Sequence, residues 1–524
     1  MSHFAPSTSP FQSTEHERIG QSAISSESQR QRYASFLLLL CSAVGSSNKR
    51  STCNSPHTTT VHILDDDSLL NIFYLYRPFL LGEDEDDDSR LGGGDERWVG
   101  ERWWYKLAHV CQRWRNLILG SSSYLGLCLV CTNGTPVADM LAHSPPLPLV
   151  IEYDYEDPDM AAEDEEGFTL AFQERDRVCR VRLRMPVSTL QNLTTTISER
   201  YPRLEYLIIV PSAEDSSTIF TLPESFEAPH LRHLVLFDFA FSSGSRLLTN
   251  ATGLVTLALA LSNPSTYFQP NVLLQWISSM PQLETLMVTF LFTVPDSDLE
   301  TQSTHMPITT HITFPDLRWF WFRGVSAYLE AVVPHITTPR LEKLEIFFFK
   351  QSIFSVPHLL QFMNETENLK FRVAEFHFSD GQFDVEVYPH EDAETYALHL
   401  CVTMCWYFDS QVSSAAQIFN ASSQIFSGVE HLTLEEESDS YEQNSVDRSQ
   451  WHEFLRPFSN VKTLCVGYEL EWEIARCLAG ELPLDLLPEL HELAYSRNSH
   501  TDGDFISFID ARQNAGRPIT LVDL

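Results

Sequence analysis

The chain has 524 residues, 35 basic against 71 acidic side chains, and a formal net charge of −36. Its 43% apolar and 12% aromatic residues supply a large core, enough for roughly two to four domains. The charge argues against a nucleic-acid partner, since gripping a phosphate backbone takes a basic face and no Lys/Arg cluster stands out.

Residues 1–58 are rich in Ser, Thr, Gln, His and Arg, and are expected to form a disordered arm with too little apolar surface to offset ordering entropy. Its one aliphatic run, Phe36 to Val44, is shorter than the ~20 residues that span a bilayer. It also lies late for a signal peptide, so no membrane partner is expected. Ten scattered cysteines, mostly inside apolar runs, fit a reducing compartment better than a disulfide framework.

From Val61 the pattern changes. Asp65, Asp66 and Asp67 precede Leu69, Leu70, Ile72 and Phe73, which predicts a helix with an acidic start that Pro78 stops. Residues 82–97 carry the acidic run Glu83 to Asp88 and then Gly92, Gly93 and Gly94, the composition of a solvated insertion. Trp98, Trp103, Trp104, Leu107, Val110, Cys111, Trp114, Leu117 and Ile118 follow. Their intervals from Trp103 onward predict two short amphipathic helices, ended by Gly120 to Ser123. Tyr124 to Val130 reads as a strand.

One pattern, apolar-x-x-apolar-x-apolar, then recurs eleven times. It runs through Val178/Val181/Leu183, Leu204/Leu207/Ile209, Leu231/Leu234/Leu236, Leu254/Leu257/Leu259, Leu283/Leu286/Val288 and Leu317/Phe320/Phe322. Leu341/Leu344/Ile346, Val373/Phe376/Phe378, Val429/Leu432/Leu434, Val461/Leu464/Val466 and Leu490/Leu493/Tyr495 complete it. First positions stand 23 to 34 residues apart, except for one step of 56 that suggests a degenerate copy near Leu398/Leu400. A period in the high twenties is that of stacked strand-plus-helix units, each burying its apolar edge only against its neighbours. The strands are expected to line up in parallel, with helices such as Val272 to Ile277 and Ser188 to Tyr201 between them. An α/β enzyme is the alternative, but it calls for longer apolar strands and a Gly-rich ligand loop.

No catalytic constellation stands out. GxGxxG, P-loop, HExxH and GxSxG motifs are absent from the sequence. Cys128 and Cys131 have CxxC spacing with aliphatic residues between them and no second pair, which favours strand packing over zinc. His109 and Cys111, two apart on a helix, point to different sides. The acidic stretch Asp154 to Glu166 lacks calcium-loop spacing. Neither metal nor cofactor is expected.

Residues 61–151 resemble a known family. Leu64 to Phe73, then Trp104 to Leu117, resemble an F-box. Tyr124 to Pro136 and Pro145 to Ile151 are similar to the large F-box family of mushroom-forming fungi, whose later part is an irregular leucine-rich-repeat array. The tail, Phe505 to Leu524, is similar to that family's closing repeat. The resemblance implies an α/β chain: a small helical F-box followed by a curved leucine-rich-repeat solenoid with a parallel sheet. The expected organisation is an arm at 1–58, a helical domain at 59–130 with its insertion at 82–97, and repeats over 131–524.

The function it implies is that of a non-enzymatic adaptor in a cullin–RING (SCF-type) ubiquitin ligase, in the cytoplasm or nucleus. The F-box docks on the linker protein that leads to the cullin, and the repeats hold a protein substrate. Carried over by position, the docking face is Leu64, Leu69, Ile72, Phe73, Leu107, Val110, Cys111, Trp114 and Leu117. One departure is Asp65, where the family has Pro. A leucine-rich-repeat scaffold outside any ligase and an uncharacterised hydrolase remain the other readings.

Overall fold

The computed structural model describes residues 64–76, 103–155, 162–194, 200–211, 219–240, 245–292, 311–349, 351, 354–403, 405, 407–421, 423–437, 446–467, 470–479, 486–495 and 505–523. The arm 1–58, the run Phe36 to Val44, the insertion 82–97 and Trp98 lie outside the described residues. Residues 64–76 with 103–126 form one compact unit, and those from Leu127 onward form another.

The first unit is helical. Helix α1, Asp66–Tyr76, starts where Asp65 Oδ1 accepts a hydrogen bond from the Ser68 N–H at 2.7 Å. That bond satisfies one of the free amides of the first turn. Helices α2 (Trp103–Ala108) and α3 (Gln112–Gly120) fall where the three-and-four spacing of apolar residues placed them. The strand expected at Tyr124 to Val130 is shorter. Ser122–Leu125 is one more helical turn, α4, closed by Gly126 in the left-handed region at φ 61°. The strand itself covers only Leu129–Cys131 and belongs to the second unit, not to the helical domain expected at 59–130.

The second unit is mixed α/β, built on a large, mostly parallel sheet of sixteen strands. In chain order they are β1 Leu129–Cys131, β2 Leu149–Asp154, β3 Val178–Met185, β4 Tyr206–Pro211, β5 His233–Phe237, β6 Thr256–Leu261, β7 Thr285–Phe290 and β8 Trp319–Gly324. Then come β9 Lys343–Phe349, β10 Val373–Ser379, β11 Gln382–Tyr388, β12 Leu398–Thr403, β13 His431–Glu437, β14 Thr463–Val466, β15 Glu492–Tyr495 and β16 Thr520–Asp523. All eleven copies of the sequence pattern end in one of these strands.

A turn repeats with the pattern. Its first apolar residue donates its N–H to the carbonyl three positions earlier at Leu204, Leu231, Leu254, Leu283, Leu341, Val429, Val461 and Leu490. The turn tips that side chain inward: Leu231, Leu254, Leu283 and Leu341 are fully buried. The next two N–H groups then share one carbonyl of the preceding repeat. Arg232 and His233 share Glu205 O, Glu284 and Thr285 share Val255 O, and Arg318 and Trp319 share Glu284 O. This fork pins the register at each strand's start, so every repeat turns the same side chains inward.

Parallel succession breaks once. The spatial order is β9-β12-β11-β10-β13, and β11 is antiparallel to both its neighbours. The degenerate copy near Leu398 is therefore a true strand, β12, paired with β9, but the chain reaches it through the hairpin β10–β11. The hairpin follows from residues 379–388: Asp380 and Gly381 make a two-residue loop, Gly381 at φ 91°, and Phe383, Val385 and Val387 alternate with polar residues. The expectation of uniformly parallel strands is corrected on that account.

The helices cover one face of the sheet. Phe376 of β10 lies 5.1 Å from Phe419 of helix Phe408–Ala421 and 4.9 Å from Phe454 of helix Arg448–Leu455, ring centre to ring centre. The latter helix starts at a capping box, Asp447 N–H donating to Gln450 Oε1 at 2.9 Å. Phe290 of β7 packs 4.9 Å from Tyr328 of helix Ser326–Val332. The other side of each strand is left to the alternate residues.

Candidate functional site

In the helical unit, the nine residues expected to form one face separate by depth. Leu69 and Phe73 are each 1% exposed and form the interior, the Phe73 ring standing edge-on to Trp114 at 4.9 Å. The expectation that these two present themselves to a partner is corrected: on α1 they lie four apart on the face turned toward α3 and α4, where apolar side chains leave water. Leu64, Ile72, Leu107, Cys111, Trp114 and Leu117 are half-buried, and Val110 is 59% exposed.

Four further exposed side chains of this unit were not nominated from the sequence as docking residues: Tyr74, Leu75, Tyr76 and Tyr124 are between 48% and 57% exposed. Tyr124 donates its hydroxyl to Asn71 Oδ1 at 3.1 Å, and its ring lies 5.5 Å from Tyr74. Tyr76 stands 6.4 Å from Trp103. The signal was the unbroken run Phe73 to Tyr76, which no single helix face can bury. Arg113 ties the start of α1 to α3, donating to Leu64 O at 2.6 Å and Asp66 Oδ1 at 2.7 Å.

The second candidate lies on the face of the sheet opposite the helices. One register row there reads Val235, Ala258, Met287, Trp321, Glu345, His399, Glu386 and Glu375, each beside the next on neighbouring strands. Its first half is apolar. Ala258, Met287 and Trp321 are buried, with Val235, Trp319 and Phe347 packed around them half-buried. Trp321 stacks on Phe347 at 4.5 Å and 26°. The Trp321 indole N–H and the Thr289 hydroxyl are buried without a hydrogen-bond partner.

Charge fills the middle of the row. Glu345 is fully buried, with Lys343 Nζ 3.1 Å from its Oε1. The same ammonium lies 4.4 Å from the Tyr396 ring centre and 5.1 Å from that of Trp319. His399 Nε2 is 3.2 Å from Asp384 Oδ1, and its Nδ1 is 4.0 Å from Glu345 Oε2. Burial alone lowers the basicity of the His399 imidazole, but the hydrogen bond to Asp384 and the nearby Glu345 carboxylate outweigh it and raise its pKa to about 9. Burial likewise works against the Asp384 carboxylate, and the bonds from His399 and Cys401 overcome it and lower its pKa. Burial, then the Asp384 charge, pushes the Cys401 thiol up and keeps it protonated.

Beyond them lies an acidic stretch. Glu375 sits directly opposite Glu386 across the antiparallel pair, and Glu435 is beside His377 at 3.3 Å. Burial raises the Glu375 pKa, His377 opposes that, and the Glu386 and Glu435 charges add to it. The Tyr388 hydroxyl donates to Glu386 Oε2 at 2.6 Å. None of these residues was nominated from the sequence. The signal was available at the x positions of the repeats, where Trp319 and Trp321 stand while neighbouring strands carry Thr256 and Thr285, and just after one copy, at Phe347.

Among the described residues, no group of three or more His, Cys, Asp and Glu is placed to hold a metal ion. Cys111, Cys401, Cys465 and Cys477 are free thiols. No described helix is long and apolar enough to cross a membrane. No protein-family model matches the chain, and no curated protein matches it.

Proposed function

We propose that this chain is the substrate-recognition adaptor of a cullin–RING (SCF-type) ubiquitin ligase, its helical unit docking on the linker protein and its sheet, read as a leucine-rich-repeat solenoid, holding a protein substrate. The observation that carries this reading is the exposed set Tyr74, Leu75, Tyr76, Val110 and Tyr124 on a small helical unit. Aromatic and aliphatic side chains left in water on one unit are the anchors that dominate helix-mediated association.

The reading requires no chemistry from the chain itself. Held on one polypeptide, a linker site and a substrate site raise the substrate's effective concentration near the ubiquitin-charged enzyme. A cytoplasmic or nuclear location follows from the ligase.

A second reading, a leucine-rich-repeat scaffold outside any ligase, is favoured by two observations. Leu69 and Phe73 are interior residues, and Asp65 is a helix cap rather than the family's Pro. Co-expression of the full chain with the linker protein separates the two readings. The adaptor gives a stable complex through gel filtration at micromolar concentration, weakened by Leu75→Glu and Val110→Glu. No association at that concentration leaves the scaffold.

A further inference from the structure

We infer that the open face of the sheet recognises a basic, extended segment of a partner protein, an apolar residue resting on Trp319, Trp321 and Phe347 and a Lys or Arg set against Glu375, Glu386 and Glu435. This rests on the reading of the sheet as the part that holds substrate, and adds the chemistry of what it holds.

Charge balance along the face points to the occupant. In the middle, Lys343 and His399 already answer Glu345 and Asp384, so that cluster is internally matched. Beyond it, Glu375 faces Glu386 directly across two strands, an arrangement of like charges that destabilises a sheet. Nearest to hand on that stretch is the imidazole of His377, beside Glu435. A guanidinium or ammonium laid over Glu375 and Glu386 relieves the repulsion and gains charge-assisted hydrogen bonds.

The apolar end supplies the anchor. Trp319 and Phe347 are half-buried beside Trp321, which is 8% exposed. Aromatic rings partly open on a sheet face suit a peptide that brings an apolar side chain.

The register sets the spacing. Trp321 and Glu386 are three strands apart, through Glu345 and His399. At ~4.8 Å per strand this is roughly 14 Å, the reach of about four extended residues. The net charge of −36 draws basic molecules to the whole surface, so the order of residues, not the charge alone, must distinguish the partner.

Fluorescence anisotropy with the full chain at ~0.15 M salt tests this, where bulk attraction is screened beyond ~8 Å. The probe is a labelled Gly/Ser peptide of about twelve residues, with Trp about four positions before an Arg pair; its control has the same composition with Trp next to the pair. The spaced peptide is expected to bind saturably at micromolar concentration, at least ~10-fold tighter than the control, and to lose ~10-fold with Glu375→Gln/Glu386→Gln. These substitutions keep side-chain shape at half-buried positions, and a circular dichroism melt verifies folding.

Equal binding of the two peptides, an unchanged double variant, or no saturable binding overturns the inference. Linker-protein capture by the same preparations reports separately on the adaptor reading. Capture without peptide binding sinks this inference alone, and peptide binding without capture sinks the adaptor alone.

Discussion

His399 on β12 and Asp384 on β11 form a partly buried ion pair across antiparallel strands, Nε2 to Oδ1 at 3.2 Å, although neither position lies in one of the eleven clear copies of the repeat pattern. With the His399 pKa raised from 6.5 to about 9, the pair contributes stability fully present below about pH 6.5 and lost as pH rises through about 9. A shift of that size corresponds to about 3 kcal/mol. Chemical denaturation of the wild-type chain at both ends of this window is expected to show the loss, and His399→Gln to flatten it. Equal slopes for the two proteins remove the pair as the cause.

Phe73 and Val110 should behave oppositely. Phe73→Ala opens a cavity beneath Trp114 and is expected to cost about 3–5 kcal/mol, melting the helical unit. Val110→Glu, at an exposed position, should change stability by less than about 0.5 kcal/mol while reducing linker-protein capture. Thermal melts beside capture assays separate the two effects.

Gly381 closes the β10–β11 hairpin at φ 91°. Gly381→Ala places a Cβ in the left-handed region and should cost about 1–2 kcal/mol. Hydrogen exchange is expected to speed up first at Phe383, Val385 and Val387. Protection unchanged there means the turn does not hold the pair.

Asp65 caps α1 through its bond from the Ser68 N–H, and that bond lowers its pKa below 3.8. The capping contribution is therefore present above pH 3.8 and fades as pH falls through the lowered value. Asp65→Ala should increase amide exchange in the first turn of α1, and Asp65→Asn, an equally good cap, should not. Matching exchange in both variants would argue against the cap.

Much of the architecture was legible because each local signal had a local cause. The acidic start of α1, the spacing of Trp103, Leu107, Trp114 and Ile118, and the repeat pattern report burial imposed by backbone periodicity. The hairpin was equally local: Asp380-Gly381 between alternating residues is a strong turn signal. It was hidden because Val373/Phe376/Phe378 fits the repeat, and one matching triplet obscured the reversal after it.

Residue type and order alone determined that this chain has a helical segment near residue 66, a long succession of short strands, and no conspicuous catalytic motif, because hydrophobic periodicity is written along the chain. Tertiary structure decided which apolar residues face water. Phe73 and Leu75 look alike in sequence, but packing against α3 takes one inside and leaves the other 57% exposed. Tertiary structure also placed Trp321, Glu345, His399 and Glu386 in one row. Those residues come from four strands spread over 78 positions of chain, and only strand register, a long-range hydrogen-bonded choice, makes them neighbours.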